Sequence, residues 1–198
     1  MKFEESKTKE CLMKAYVGES QARNRYTWFA SRARKEGYRQ IEAIFIETAD
    51  NEKEHASVFY KFLVEGLGAD KEAVMQVVNA DYPIELSSDT YTNLINAAEG
   101  ERAEFEDLYP SFAKVAEEEG YKEIAEHFRQ IAKVEGKHME RYLGLAENIK
   151  AGKVFKREQK VVWKCRNCGY IVEAAEAPKK CPACSHAQEY FELFVKNW

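Results

Sequence analysis

Two pairs of acidic and imidazole side chains stand at the same helical spacing in this 198-residue chain. Glu52 and His55 occur in "DNEKEH", and Glu135 and His138 occur in "VEGKH". Side chains three residues apart share one face of a helix, so both members of a pair can point into the same interior. The neighbouring residues are apolar and aromatic, and buried charges need partners. The pattern therefore predicts bound metal ions; solvated glutamates beside core histidines are the alternative.

An internal repeat places the two pairs in register. Residues 36–55 align without a gap to residues 119–138, with eight of the twenty positions identical. Each half also carries a glutamate one helix earlier, Glu19 or Glu101, and only the second half adds Glu104 one turn later. One glutamate from each of two helices plus Glu-x-x-His from each of the other two is the ligand set of di-iron and di-manganese carboxylate bundles. These oxygen-rich ligands with two imidazoles favour iron or manganese over zinc.

Two tyrosines follow these early glutamates by about two helical turns. Tyr26 comes seven residues after Glu19, whereas Tyr109 comes eight residues after Glu101. Either tyrosine can hydrogen-bond a ligand carboxylate or simply pack in the core. The extra residue in the second half predicts a π-bulge, a feature that often marks a functional site. A kink at Pro110 is the simpler alternative.

Four of the five cysteines cluster near the C-terminus in a Cys-x2-Cys-x12-Cys-x2-Cys pattern. They are Cys165, Cys168, Cys181 and Cys184. Each Cys-x2-Cys segment is a metal-binding knuckle, and two knuckles facing each other form a tetrahedral sulfur site for iron or zinc. A structural zinc ribbon fits the spacing, while the aromatic surroundings and the second metal site in the same chain favour iron. Four thiolates leave no open position for a substrate, so we expect this site to relay single electrons. Cys11 stands apart, and we interpret it as a structural thiol.

These residues require a mainly α fold, a four-helix bundle followed by a small β-rich tetrathiolate domain. Apolar spacing of three and four residues predicts four helices. Their approximate bounds are 4–35, 38–65, 87–117 and 121–150. From residue 153 onward Val, Tyr, Phe, Trp, Cys and Gly predict short strands and turns. We therefore expect one domain at residues 1–150 and a second at 151–198. The connector over residues 67–86 is long enough to return along a helix or to reach a neighbouring subunit.

Charge and composition exclude several classes of function. Residues 1–152 carry 21 Lys and Arg against 29 Asp and Glu, a net −8, whereas residues 153–198 carry 9 against 5, a net +4. Scattered cationic residues do not suit nucleic acid. The charged start of the chain and the absence of a long apolar run predict no signal peptide and no membrane span. We expect a cytoplasmic protein with reduced thiols. The charge split favours docking of the tail on the body, or reflects two solvated surfaces.

With both motif sets identified, the chain resembles the rubrerythrin family over nearly its whole length. The motifs are "VGESQARNRY", "DNEKEH", "AEGERAEFEDLYP", "VEGKH" and the two cysteine knuckles. The resemblance implies reduction of hydrogen peroxide to water. It also implies a ferritin-like fold for the bundle, a rubredoxin-like tail, and a role in oxidative stress defence. Electrons would pass from an NAD(P)H-dependent reductase or rubredoxin through the tetrathiolate iron to an oxo-bridged di-iron site. We expect a homodimer, since the cysteine site of one tail can lie far from the centre of its own bundle.

The resemblance also assigns residue roles. It implies that the metal ligands are Glu19, Glu52, His55, Glu101, Glu104, Glu135, His138 and the four clustered cysteines. Tyr26 and Tyr109 belong to the catalytic site, and one iron moves between the Glu104 carboxylate and the His55 imidazole when the redox state changes. The chain departs from the family pattern at Ser185, where a glycine usually follows the second knuckle. We expect this serine to strain the turn or to alter an N–H···S bond.

Two other functions compete with peroxide reduction. Iron oxidation and storage also uses ferritin-like carboxylate bundles, but it needs neither a one-electron relay nor the additional carboxylate of Glu104. A zinc-ribbon binding module on a helical scaffold would leave the buried carboxylates unexplained.

Overall fold

Four long helical stretches form the body of the protein, whose computed structural model describes residues 2–70 and 72–198. They are α1 (Lys7–Lys35), α2 (Arg39–Leu67), α3 (Thr90–Ala103) continued through a π turn (Glu104–Leu108) into α4 (Tyr109–Glu118), and α5 (Lys122–Lys150). Helix α1 packs mainly on α2, and α3 and α4 pack mainly on α5. The predicted mainly α fold is confirmed. None of the described helices is both long and apolar enough to cross a membrane.

The ends of the helices follow from local side chains. The side chain of Ser6 accepts the backbone N–H of Lys9, so α1 begins three residues later than the sequence pattern predicts. Asp89 caps α3 in the same way. Gly37 and Gly120 end their helical stretches with φ angles of 78° and 91°, a region that glycine adopts without a steric penalty.

The predicted π-bulge is confirmed as the π turn over Glu104–Leu108. The extra residue lets Tyr109 return to the helix face that carries Glu101. Within this turn Phe105 packs against Gly136 of α5, where an added Cβ would lie 3.2 Å from the ring. Pro110 lies in the first turn of α4, which is otherwise regular, and proline is well tolerated there. An insertion in the helix, and not a kink at this proline, therefore accounts for the offset in the repeat.

Two separate apolar clusters fill the bundle. The proximal cluster, on the side of the α1–α2 turn, includes Phe29, Ile41, Phe45, Leu94 and Tyr142. The distal cluster, at the opposite end, includes Leu12, Phe59, Ala116, Ile124 and Phe128. In every helical stretch the residues between the two clusters include the predicted ligand glutamates and histidines. The fold thus holds a polar layer between two apolar ones.

The C-terminal part is a three-stranded antiparallel sheet in the order β2-β1-β3. Its strands are β1 (Lys156–Cys165), β2 (Ile171–Glu176) and β3 (Phe191–Leu193). Trp163 is fully buried at the centre of this tail, and its indole N–H donates to the backbone oxygen of Ala174 at 3.0 Å. The sheet brings the two cysteine knuckles together at one end, because the first follows β1 and the second precedes β3.

The connector between α2 and α3 runs back along α1. Tyr82 donates its hydroxyl hydrogen to the backbone oxygen of Lys14 at 2.9 Å, and Glu85 pairs with the buried guanidinium of Arg25. These two contacts fix the connector beside the bundle. The connector thereby leads from the distal end of α2 to the start of α3 at the proximal end.

The residue after each knuckle adopts a left-handed conformation. Gly169 has φ 80° and donates its N–H to the backbone oxygen of Cys165 at 2.8 Å. Ser185 occupies the equivalent place, with φ 62° and its N–H 2.9 Å from the oxygen of Cys181. A side chain at positive φ is unfavourable, so the serine strains this turn while the hydrogen bond of the turn is kept.

We predict that Ser185→Gly stabilises the tail by about 1 kcal/mol, because glycine removes the clash between Cβ and the backbone. The measurement is the denaturant midpoint for loss of the thiolate–metal absorbance in metal-loaded protein. Ser185→Ala is the matched control, since it removes the hydroxyl and keeps Cβ. Equal stabilisation by alanine and glycine would show that the hydroxyl group, and not the backbone, is the source of the strain.

Candidate metal centres

The polar layer of the bundle contains two overlapping groups of ligand atoms. One group is Glu19, Glu52, His55 and Glu135, and the other is Glu52, Glu101, Glu135 and His138. In each group the ligand atoms lie within 4.8 Å of one another. Glu52 and Glu135 belong to both groups, so each can offer one oxygen to either of two neighbouring cations. The structure thus brings six of the seven carboxylates and imidazoles predicted from the sequence into one cluster.

Each imidazole lies against the shared glutamates. His55 Nδ1 is 2.8 Å from Glu52 Oε2 and 2.9 Å from Glu135 Oε1. His138 Nδ1 is 2.8 Å from Glu135 Oε2 and 3.2 Å from Glu52 Oε1. The two rings are 6.2 Å apart between centroids. This near-symmetry is the structural result of the internal repeat, since each Glu-x-x-His pair serves one half of the cluster.

Many of these buried atoms lack a hydrogen-bond partner among the described residues. They are Glu19 Oε2, Glu52 Oε1, Glu101 Oε2, both carboxylate oxygens of Glu135, and His138 Nδ1. Several of them lie close to one another without the alignment that a hydrogen bond requires. A buried polar atom without a partner is costly. A pair of divalent or trivalent cations requires oxygen and nitrogen ligand atoms that converge on it in this way, so the residues fit a di-iron centre.

Without cations, protons must balance the charge of the cluster. Burial, together with the negative charge of Glu104, raises the pKa of Glu19 well above its usual range. Burial and the charge of Glu52 raise the pKa of Glu101 to about 8. Burial disfavours the charged imidazole, yet the surrounding carboxylates outweigh it and raise the pKa of His55 to about 10 and that of His138 to about 12. Metal ions at this site would therefore displace protons.

Two buried tyrosines join the halves of the cluster in a crossed arrangement. Tyr26 of α1 donates to Glu101 Oε1 of α3 at 2.5 Å, and Tyr109 of α4 donates to Glu19 Oε1 of α1 at 2.5 Å. Both side chains are about 1% exposed. Of the two alternatives that the sequence left open, hydrogen bonding is the correct one. Each tyrosine fixes one ligand carboxylate from the opposite half of the repeat.

Glu104 is the one predicted ligand that lies outside the cluster. Its carboxylate sits beside Gly18, where an added Cβ would be 3.8 Å from Oε1, and it borders a cavity of about 740 Å³. Burial, together with the charge of Glu101, raises the pKa of Glu104 well above its usual range. His55 occupies the cluster while Glu104 stays at its edge.

Sequence reasoning missed the residues that enclose this cavity. Arg25 and Tyr82 line it together with Glu104, and the connector forms one of its walls. A signal for Arg25 was present, because Gly18, Gln21 and Arg25 recur at the spacing of one helix face. Tyr82 gave no such signal, since it belongs to a segment without periodicity.

The four cysteines of the tail form the second centre. Cys165 Sγ is 3.8 Å from Cys184 Sγ, and Cys168 Sγ is 3.7 Å from Cys181 Sγ. A tetrahedron with metal–sulfur bonds of about 2.3 Å has edges of about 3.8 Å, so these distances suit a tetrathiolate metal. The backbone N–H of His186 lowers the pKa of Cys184 to about 6, which favours the thiolate form.

The remaining sequence predictions concern residues away from both centres. Cys11 is buried in the distal cluster, and burial raises its pKa to about 11, which disfavours the thiolate and supports its interpretation as a structural thiol. His127 packs edge-on against Phe62 with ring centroids 5.2 Å apart. It takes no part in either ligand group.

Comparison with known families agrees with both centres. Residues 10–146 match the family described as rubrerythrin, and residues 163–192 match the rubrerythrin rubredoxin-like domain. The rubrerythrin of Clostridium perfringens is 60% identical over 193 residues, which are 98% of this chain and 97% of that protein. The rubrerythrin of Nitratidesulfovibrio vulgaris is 50% identical over 193 residues, again 98% of this chain and 97% of that protein.

A solved structure shows the same arrangement of elements. The fully reduced, all-ferrous state of nigerythrin superposes with a TM-score of 0.61 at 31% identity, covering 98% of this chain and 94% of that one. The present chain carries the glutamate and histidine cluster of a di-iron site and a four-cysteine rubredoxin-like site, which match iron cofactors. By its matched length, its identity to these relatives and its two sites, the chain belongs to the rubrerythrin family.

Proposed function

We propose that this protein reduces hydrogen peroxide to water at the cluster in the bundle, with electrons supplied through the cysteine site. The observation that carries the proposal is the presence of both centres in one chain, a buried carboxylate pair that can bridge two metals and a tetrathiolate site without an open position. Peroxide accepts two electrons and two protons, its O–O bond breaks, and two water molecules form. When bound, a pair of irons supplies both electrons at one place.

The bundle residues divide this work. Glu52 and Glu135 would hold both metals, and Tyr26 and Tyr109 keep Glu101 and Glu19 in position through their hydrogen bonds. The apolar clusters on either side exclude water from the layer between them. The ligand atoms consequently need little rearrangement during the reaction.

Glu104 connects the cluster to the cavity. Burial and the charge of Glu101 raise the pKa of Glu104, which favours the protonated carboxyl group, and Glu104 borders the cavity through which we propose that peroxide enters. It could deliver that proton to a leaving oxygen, and the resulting carboxylate would be able to replace His55 as a metal ligand. Such an exchange suits iron, since the harder ferric ion prefers the carboxylate and the ferrous ion accepts imidazole readily.

The tail relays electrons from outside. We propose an NAD(P)H-dependent reductase or rubredoxin as donor, because a tetrathiolate iron exchanges one electron at a time. The tail contacts α2 near Arg39, thirteen residues before Glu52, which is about 20 Å along the helix. The tail is thus distant from the cluster of its own chain, which supports a homodimer in which the tail of one chain donates electrons to the cluster of its partner. We further propose a division after residue 150, a role in oxidative stress defence and a cytoplasmic location, where cysteines stay reduced and available to bind metal.

We predict a stoichiometry of about three irons per chain in protein loaded anaerobically. Two irons balance the charge of the bundle cluster, and one is bound by the four cysteines. Metal analysis gives the total, and the visible spectrum of ferric tetrathiolate gives the third iron. A fully loaded preparation with a single iron would rule out the di-iron site.

Cys181→Ser separates the relay from the catalyst. We expect loss of the tetrathiolate colour and a fall of NAD(P)H-driven peroxide turnover to background. The reduced bundle cluster should still be oxidised by one equivalent of peroxide, because its ligands are untouched. Cys11→Ser is the matched control and should leave both activities intact. Undiminished turnover in Cys181→Ser would refute the relay. If the reduced cluster reacted faster with oxygen than with peroxide, iron oxidation would be the better-supported function.

Glu104→Gln tests the exchange at the cavity. Turnover should fall by roughly 10²-fold, since the amide neither carries the proton nor binds ferric iron well, while the bundle still holds two irons. Glu106→Ala, an exposed glutamate in the same π turn, should have no effect. Structures of the iron-loaded protein in both redox states report the ligand exchange. Unchanged coordination of His55 and Glu104 between them would contradict it.

A further inference from the structure

A single arginine of the bundle holds an aromatic residue of the tail. Arg39, in the first turn of α2, donates from Nη2 to the hydroxyl oxygen of Tyr190 at 2.7 Å, and its guanidinium carbon lies 4.6 Å from the centre of the tyrosine ring. A second nitrogen, Nη1, donates to Glu42 Oε2 at 2.8 Å, and Nε lies 4.0 Å from Glu189 Oε1 of the tail. The guanidinium is therefore oriented from its own helix before it meets the tail.

Tyr190 is in turn fixed to both cysteine knuckles. Its backbone oxygen accepts the N–H of Arg166, which directly follows Cys165 of the first knuckle, at 2.7 Å. Its ring meets the ring of His186 edge-on at 4.6 Å between centroids, and His186 lies two residues after Cys184 of the second knuckle. Any rotation of Tyr190 relative to the bundle would thus turn the whole tetrathiolate site.

The rest of the contact between bundle and tail is modest. Tyr38, at the edge of the proximal cluster, stacks on Phe155, at the edge of the tail core, with ring centroids 6.4 Å apart. Only a short segment beginning at Gly152, which has φ 65°, separates α5 from β1. Contacts of this size between domains usually permit relative motion. The few interactions that exist consequently decide how the tail is oriented.

We propose that Arg39 is a positioning residue that clamps Tyr190 and thereby holds the tetrathiolate site in the orientation required for electron transfer to the bundle cluster. The inference rests on the proposed function, because it assumes that electrons pass between the two centres. It holds whether the acceptor cluster is in the same chain or in a partner, since in both cases the tail is fixed to its own α2. Electron transfer slows steeply with distance, so a loosely held tail would transfer electrons slowly.

The test uses full-length, iron-loaded protein in which the tetrathiolate iron is reduced and peroxide is then added. Recovery of the ferric tetrathiolate absorbance gives the rate of transfer to the cluster, and limited proteolysis between residues 151 and 155 reports how often the tail is undocked. We expect Arg39→Ala to slow the transfer and to speed the cleavage by about tenfold each, since it removes a cation–π contact and a hydrogen bond. Both metal spectra and direct oxidation of the cluster should stay unchanged.

Two further variants separate positioning from charge. Arg39→Lys keeps the charge but loses the planar donor that spans the ring and the hydroxyl, so it should restore only part of the rate. Tyr190→Phe removes the hydroxyl alone and should slow transfer by about threefold. Arg129→Ala is the matched control, because Arg129 pairs with Glu117 and Glu126 within the bundle. It should behave as the unmodified protein.

The outcomes distinguish the two proposals. No transfer in the unmodified protein would refute the relay itself. Normal transfer in the unmodified protein with an equal rate in Arg39→Ala would overturn the clamp and leave the relay standing, and full restoration by lysine would show that charge alone suffices. If Arg39→Ala loses iron, Tyr190→Phe decides the question, and an unchanged rate in that variant overturns the clamp.

Discussion

Desolvation of the carboxylates is the constraint on which the rest of this structure depends. Four glutamates and a histidine are at least nine-tenths buried in the middle of a bundle, between two apolar clusters. Removing such charges from water costs several kcal/mol for each ion. Cations or protons must neutralise the layer, and the raised pKa values of Glu101 and both histidines show how strongly the site binds positive charge.

The same constraint explains the surroundings of the cluster. Glu19 and Glu101 each belong to one ligand group, and each accepts a hydrogen bond from a tyrosine. The two glutamates that both groups share lie between the imidazoles. Tyr109 can reach its partner only because the π turn adds a residue ahead of it. The same turn places Glu104 beside the cavity. One inserted residue thus makes the two halves of the repeat chemically different.

Much of this arrangement could be predicted from the sequence, because it depends on spacing. Periodic spacing predicts the helices, and the Glu-x-x-His pairs within the repeat predict six ligands of the cluster. The offset of the repeat predicts the π turn, and the knuckles predict the cysteine site. The connector could not be predicted, since Tyr82 and Glu85 lie in a segment where tertiary contacts alone decide the position. The contact of Arg39 with Tyr190 was equally inaccessible, because 151 residues separate the partners.

The polar layer between two apolar clusters has a consequence for how the bundle opens. Regions with their own apolar core tend to unfold as separate cooperative units. The proximal and distal clusters are two such cores, joined across the layer by helices and by ligand side chains. When the layer holds only protons, hydrogen exchange of the backbone amides should show the two halves of each helix opening independently. Bound iron would tie the halves into one unit, so the metal also acts as the central crosslink of the scaffold.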